Sequence, residues 1–436
     1  MEMDLVQRLP EDVLADVLGC LPPRSLAAAR CVCRAWHAII DARSLLDRDL
    51  LPLSLAGFFI NFADMKFAEF FFRSSIDDAA ISSDLHFVPT EDVYVEDICN
   101  GLVLLDFYYV VNPATRRWAS LPPRPPTPVE FQHFHEQGYI MFDPAVSLHY
   151  QVLMFLHVPY TRKFDAPMRQ QEWPPSRFMM RVFSSEITRW EEKAFIRQGD
   201  ALGTLADMQL VEPPTDQPHA VYWHGELYVH TCHFVMRVSL SNCTYQAIKL
   251  PIHVDIRQYP TVLLGKSEKG VYFAALDRQC RLRVWILNES SCEWLPKHDN
   301  NLHHMPPRQN HEPQTCGSWI MAHVNYNFNQ ASNPIYNKEA SVQDKLEWNS
   351  DNEDVFETRI GAHANEHITI LGFHPYKEVI FLSEHSQRGF AYHLDQSKLE
   401  DLGSMRPKGF EFCYTKNIDQ SFPYTPCRFG KFLDNN

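Results

Sequence analysis

Val110-Val-Asn-Pro-Ala-Thr-Arg-Arg-Trp118, Val182-Phe-Ser-Ser-Glu-Ile-Thr-Arg-Trp190, Val238-Ser-Leu-Ser-Asn-Cys-Thr-Tyr245 and Ile286-Leu-Asn-Glu-Ser-Ser-Cys-Glu-Trp294 share one pattern. In each, an apolar strand runs into a polar turn and ends in an aromatic side chain. Successive aromatic ends are 72, 55 and 49 residues apart. Such self-similarity marks a repeat whose units cannot bury their apolar faces alone and stack to share a core. Upstream of several units a turn leads into an apolar strand, as in Asn100-Gly-Leu-Val-Leu-Leu105, His224-Gly-Glu-Leu-Tyr-Val229 and Lys269-Gly-Val-Tyr-Phe273. These read as inner hairpins of the same units. A last unit, Arg388 to Glu400, keeps the strand and turn and lacks the aromatic, and a unit around Trp319 to Trp348 is poorly formed.

Working outward, short strands are predicted over 102–105, 108–111, 150–158, 178–183, 221–223, 227–230, 234–240, 271–275, 282–287, 368–373, 379–382 and 390–394. A period near fifty residues with one aromatic per unit is similar to a kelch-like β-propeller blade and implies about six to eight blades. Residues 121–135, 159–177, 211–218 and 296–313 carry prolines and read as loops. They are either a target-binding surface on a rigid frame or spacers without function.

The first fifty residues follow a different period. Pro10 suits a first helical position, Glu11 and Asp12 complement the positive end of the helix dipole, and Val13, Leu14, Val17, Leu18 and Leu21 recur at helical spacing. Pro22-Pro23 ends that helix. A second helical stretch places Leu26, Ala29, Val32, Cys33, Trp36, Ile39 and Ile40 along one side. Forty residues of helix have too little interior to hide all of these. Either the excess packs on the rest of the chain or it awaits a partner.

Leu9-Pro-Glu-Asp-Val-Leu14, Leu21-Pro-Pro-Arg-Ser-Leu26 and Arg30-Cys-Val-Cys-Arg-Ala-Trp-His-Ala-Ile-Ile-Asp41 closely resemble the F-box over its whole length. The resemblance implies a three-helix unit that inserts apolar side chains into a Skp-type adaptor, which in turn holds cullin and RING subunits. Position by position it assigns docking to Leu9, Pro10, Leu14, Leu18, Leu21, Pro22, Leu26, Val32, Cys33 and Trp36. Cys99-Asn-Gly-Leu102 and Asn112-Pro-Ala-Thr-Arg-Arg-Trp118 also resemble the opening of the F-box-associated domains of plant F-box proteins. The expected architecture is α+β multidomain: an F-box over 1–50, a connector over 51–98, and an all-β kelch-like propeller over 99–436 with an acidic insertion near 338–357.

Composition narrows the partners. The formal charge is −14, with eight acids against six bases in residues 1–50 and 46 against 34 beyond. Neither part has the lysine and arginine excess with which phosphate backbones or anionic membranes are gripped, so a protein partner is expected. The eleven cysteines form no CxxC pair, which reads as reduced thiols without a zinc or redox site. Cys31 and Cys33, two apart on a helix, share no face. An acidic amino terminus and no apolar run near ~18 residues point to a chain that stays in the cytoplasm or nucleus.

His363-Ala-Asn-Glu-His367 satisfies the H-x-x-E-H pattern of a zinc-protease class. Its setting is not helical: Gly361 precedes it and an apolar strand follows at Ile368, so a polar loop is expected. His298, His303, His304 and His311 lie in a proline-bearing loop without the tight paired spacing of structural zinc. No metal, cofactor or catalytic residue is therefore expected. The resemblance implies a non-catalytic substrate-recognition subunit of an SCF-type ubiquitin ligase. Its rivals are an F-box scaffold acting without ubiquitin transfer, and a propeller hydrolase, which would need convergent carboxylates at the channel mouth.

Overall fold

The computed structural model describes residues 11–19, 29, 33–43, 55–63, 65, 67–73, 85, 87–90, 93–106, 108–127, 131–159, 164–209, 219–252, 261–302, 319–323, 368–405 and 417–427. Among the described residues two short helices, α1 (Glu11–Gly19) and α2 (Arg34–Ala42), lie at the amino-terminal end. Strands β1 (Gly57–Phe62) and β2 (Glu69–Arg73) follow. The first complete sheet is β3 (Val95–Cys99), β4 (Leu102–Leu105), β5 (Tyr109–Asn112) and β6 (Arg117–Ser120). The second is β7 (His135–Met141), β8 (Gln151–His157), β10 (Arg177–Ser184) and β11 (Arg189–Gln198). The one-turn helix α3 (Ala166–Arg169) and the small pair β9 (Glu172–Trp173) and β12 (Gly203–Thr204) flank it. The third is β13 (Ala220–Trp223), β14 (Glu226–Thr231), β15 (Phe234–Ser239) and β16 (Thr244–Lys249). The fourth is β17 (Thr261–Ser267), β18 (Gly270–Leu276), β19 (Arg281–Asn288) and β20 (Glu293–Asn301). After β21 (Trp319–His323) comes the fifth, β22 (Ile368–Phe373), β23 (Val379–Glu384), β24 (Arg388–His393) and β25 (Lys398–Ser404). The sixth is discontinuous in sequence, in the order β21-β2-β1-β26, where β26 is Ile418–Tyr424.

The strands β3, β7, β13, β17, β22 and β26 stand around a common centre. β3 lies against β7 and β26, β17 against β13 and β22, and β22 against β26. The second and third sheets join at their outer edges, where β11 and β16 pair in parallel with Ile196 opposite Thr244. Closure is antiparallel between β1 and β26, with Phe59 opposite Phe422 and Gly57 opposite Tyr424. Among the described residues the arrangement is consistent with a six-sheet β-propeller. Strands covered on both faces are buried along their whole length, as in β1, β4 and β18, which is why they read as unbroken apolar runs.

The sequence repeat has a structural meaning. It is the hairpin of the third and fourth strands in each of five sheets, closed by the pairs Asn112↔Arg117, Ser184↔Arg189, Ser239↔Thr244, Asn288↔Glu293 and His393↔Lys398. Each pair spans a four-residue turn. Its last residue is left-handed every time: Arg116 (φ 54°), Thr188 (53°), Cys243 (50°), Cys292 (55°) and Ser397 (54°). In three of these units the aromatic two residues later bonds back towards the preceding sheet. Trp190 Nε1 donates to Pro122 O (2.9 Å) beyond β6, Trp294 Nε1 donates to Lys249 O (2.9 Å) at the end of β16, and the Tyr245 hydroxyl donates to Pro175 O ahead of β10. In these three units the terminal aromatic is thus a tie between neighbouring sheets, combining apolar area with a polar tip.

A left-handed backbone costs a non-glycine residue roughly 1–2 kcal/mol, and glycine gives back about 0.5–1 kcal/mol of that in chain entropy. Thr188 is β-branched and sits at φ 53°. Thr188→Gly is therefore expected to stabilise the protein by up to about 1 kcal/mol, read as a higher midpoint in thermal unfolding. A lower midpoint would show that the bond from Thr188 Oγ1 to Ile187 O (2.9 Å) outweighs the backbone strain.

The structure adds strands that the sequence reading did not name, β7 and β17 among them, and departs from its connector and loop assignments in three places. The span 51–98, read as a connector, supplies β1, β2 and most of β3. Residues 296–301, read as the start of a loop, continue β20. The proline-bearing segment 159–177 contains α3 and β9. In each case the local signal was masked: the phenylalanine-rich strands 57–62 and 69–73 do not alternate because both faces are covered, and Pro296 sits where β19 and β20 shift register, the kind of position a strand grants to proline.

Candidate functional site

Two features are candidates for function: the outer face of the helical unit and the centre of the sheet ring. In the helical unit, Leu14, Ala15 and Leu18 of α1 pack with Ala29 and with Ile39 and Ile40 of α2, and Trp36 lies half-buried at the edge. On α1 these inward residues follow the i, i+4 rule. The same rule groups Val13 and Val17 on another face, where they are 44% and 52% exposed. Arg43 pairs with Asp12 across the two helices, a surface ion pair of little energetic weight. Cys33 is exposed, and its Sγ accepts from Trp36 N–H (3.5 Å) at the start of α2. The helical unit therefore has an internal core and, beside it, an apolar pair facing outward.

Of the docking residues expected from sequence, Leu14 and Leu18 belong to that internal core, Trp36 to its rim, and Cys33 to the surface. Leu9, Pro10, Leu21, Pro22, Leu26 and Val32 lie outside the described residues, as do His363 to His367, His303, His304, His311 and the acidic segment 338–357. His298 is a strand residue of β20 whose Nε2 lies 3.0 Å from the Tyr392 hydroxyl. Among the described residues no group of three or more His, Cys, Asp or Glu is placed to hold a metal ion, and no helix is long and apolar enough to cross a membrane.

At the ring centre a cavity of about 90 Å³ is lined by residues of all six inner strands, including Asp97, Tyr139, Tyr222, Lys266, Phe373 and Phe422. A bulge in β3 makes Glu96 the extra residue between the pairs Val95↔Leu105 and Asp97↔Leu104, so two consecutive carboxyls line the cavity. Gly265 permits the fit, because a Cβ there would lie 2.4 Å from the Phe373 ring. The polar groups are largely engaged with one another. Asp97 accepts from Ile140 N–H (2.8 Å), Lys266 Nζ donates to Asn100 Oδ1 (3.0 Å), and the Asn100 amide donates to Phe142 O (2.6 Å). Sequence reasoning missed this pair of carboxyls, because nothing local in Val95 to Cys99 announces a bulge.

Burial pushes Asp97 up to about 8 against two backbone hydrogen bonds, from Ile140 and Ile98, and the charge of Lys266, which pull it down. Burial, then the charges of Asp106 and Asp97, push Glu96 up to about 8. Burial acts oppositely on histidines, lowering His219 to about 4, and His230 and His374 to about 3. The signs oppose each other. The two carboxyls keep protons in the folded state that the unfolded chain releases near pH 4, so their contribution is full below that pH and lost as pH rises through about 8. The three histidines stay neutral while the unfolded chain protonates near 6.5, so stability is lost as pH falls below that value. The thermal midpoint is expected to peak near pH 6. Asp97→Asn should raise stability relative to the parent by about 3–5 kcal/mol between pH 6 and pH 8, a gain that shrinks as pH falls towards 4 and vanishes below it. A pH series of melting curves for both proteins checks this, and identical alkaline arms would show that Asp97 is ionised in the fold.

Comparison with known proteins follows the same division. Residues 6–51 match the F-box-like family model, so the chain carries an F-box-like domain ahead of its sheets. A curated Arabidopsis thaliana chain named as an F-box protein is 27% identical over 154 residues, covering 34% of this chain and 42% of that one. The match thus spans under half the length of that relative. The two findings together support an F-box protein. Among solved structures, the periplasmic gluconolactonase PpgL of Pseudomonas aeruginosa is 10% identical, with 86% of this chain and 100% of that chain covered and a TM-score of 0.34. YCF48 bound to D1 peptide is 7% identical, with 81% and 82% covered and a TM-score of 0.32. At these scores neither lends a function.

Proposed function

We propose that this protein is a non-catalytic substrate-recognition subunit of an SCF-type cullin-RING ubiquitin ligase. The helical unit docks a Skp-type adaptor, through it cullin and RING subunits are reached, and the kelch-like ring of sheets holds a target protein. The observation that carries the reading is a coincidence. The segment matching the F-box-like family, residues 6–51, is the one whose helices seal Leu14, Leu18, Ile39 and Ile40 inside and leave Val13 and Val17 outside. Leu14 and Leu18 shape the docking unit from within, Val13, Val17 and the rim residue Trp36 offer contact area, and Leu9, Pro10, Leu21, Pro22, Leu26, Val32 and Cys33 complete the face that the F-box resemblance assigns. Catalysis by such a subunit is proximity: it holds lysines of the target near a charged conjugating enzyme. Its place of action is the cytoplasm or the nucleus.

The test is reconstitution. The full chain is co-expressed with a Skp-type adaptor, a cullin and a RING subunit, with and without residues 6–51. Adaptor recovery that depends on 6–51, with ubiquitin transfer to a partner captured on the β-domain, is the expected result. Equal adaptor recovery from both chains would overturn the reading. Dependent recovery without any transfer would make the protein an assembly scaffold.

A further inference from the structure

The segment Leu121-Pro-Pro-Arg-Pro-Pro-Thr127, between the first and second sheets, has a register of its own. Pro122, Pro123, Pro125 and Pro126 have φ held near −65° by their rings, and Leu121, Pro122, Arg124, Pro125 and Thr127 each precede a proline, which biases them to extended conformations. Both effects favour polyproline II, three residues per turn. The contacts repeat at that spacing. Arg124 and Thr127, three apart, both bond Glu136 of β7: Arg124 Nη1 to Oε2 at 2.9 Å and Thr127 Oγ1 to Oε1 at 2.5 Å. Pro122 and Pro125, three apart, both accept through their carbonyls, from Trp190 Nε1 (2.9 Å) and from Arg181 Nη1. Pro123 and Pro126, three apart, are both exposed, and so is the ring of Pro125. Arg181 is itself buried, 6% exposed, and also bonds Thr127 Oγ1 (3.2 Å) and Glu136.

One edge of the segment is therefore anchored on Glu136, Pro122 is half-buried against Trp190, and Pro123, Pro125 and Pro126 lie exposed, Pro123 and Pro126 at the P-x-x-P spacing. Isolated proline-rich peptides lose conformational freedom when they bind; this one is already held by Trp190, Arg181 and Glu136 before any partner arrives. We propose that residues 122–126 are a displayed P-x-x-P ligand for a protein module with an aromatic-lined groove that takes two prolines three residues, roughly 9 Å, apart. The two successive X-Pro steps match what such grooves accept. The occupied Arg124 leaves proline shape, rather than charge, as the recognised feature. The inference rests on this loop alone and not on the adaptor reading.

The full-length protein is titrated against purified SH3, WW and EVH1 domains, chosen because each binds polyproline II. Saturable binding to at least one of them is expected, weakened at least tenfold by Pro123→Ala with Pro126→Ala, while the melting midpoint falls by at most a few degrees, because the exposed rings take with them only their restriction of the unfolded chain. A Val13→Asp, Val17→Asp chain should bind the same domain as well as the parent does, which separates this surface from adaptor docking. Failure of all three domain classes to bind, or binding that survives the double proline variant, would overturn the proposal.

Discussion

A chain ended at Lys416 is expected to lose cooperative unfolding altogether. β26 is the strand that closes the ring, pairing with β1 from Gly57↔Tyr424 to Phe62↔Ile418 and facing β3 and β22 on either side. Its removal uncovers Phe59, which meets Tyr424 edge-on at 5.3 Å, and takes away Phe422 and Tyr424, 7% and 0% exposed. The inner contacts beyond it are lost too, since Asn112 Nδ2 donates to Cys427 O (3.0 Å). Each large apolar side chain is worth about 1.5–3 kcal/mol when buried, and each backbone group left without its partner costs about 1–3 kcal/mol. Two aromatics and one strand's hydrogen bonds together approach the whole stability of a domain, about 5–15 kcal/mol. A broad, non-sigmoidal thermal transition with dye-accessible apolar surface is the expected measurement. The milder Tyr424→Ala should keep a sharp transition while losing about 3–5 kcal/mol. A shortened chain that melts as sharply as the parent would mean that the ring does not need its sixth sheet completed.

Val13→Asp with Val17→Asp is expected to abolish capture of a Skp-type adaptor while sparing the fold. Both valines are about half exposed, so their replacement should change intrinsic stability by no more than about 0.5 kcal/mol. On docking, two apolar contacts become two charges taken out of water opposite an apolar partner, each worth about 2 kcal/mol or more at the centre of an interface. A loss of affinity above roughly a hundredfold follows, measured by calorimetric titration of the purified adaptor. Leu14→Ala is a different experiment. Leu14 is 7% exposed within the helical core, so its truncation costs about 2–5 kcal/mol of local folding and would weaken docking through the fold. Unchanged adaptor affinity in the Val13, Val17 variant would remove α1 from the docking surface.

The repeat, the turns and the helical amino terminus were legible in the residues because each is a local event. Val182 to Trp190 holds a strand, a four-residue turn and the tie to a neighbouring sheet within nine positions, and the four aromatic units became hairpins of identical register. Some of the missed strands, such as β7 and β17, pair with the very next strand, but others owe their place to partners far along the chain. β1 and β2 are apolar on both faces, carry no alternation, and acquire their partners from β26 and β21, hundreds of residues later. The outer strands β11 and β16 gave no hint that they would pair in parallel across two sheets.

By itself the sequence determined the classes of structure and their order: a helical unit of F-box type, then repeated strand-turn-strand units, with a charge balance that favours protein partners. Tertiary structure alone decided the number of sheets, the closure by β1 and β26, the meeting of Asp97, Lys266 and Phe373 at the centre, and which apolar residues of α1 turn outward. The physical reason is the range of the interactions. Turn conformations and side-chain periodicity act over about four residues, whereas ring closure and burial are settled by which distant surfaces exclude water from one another.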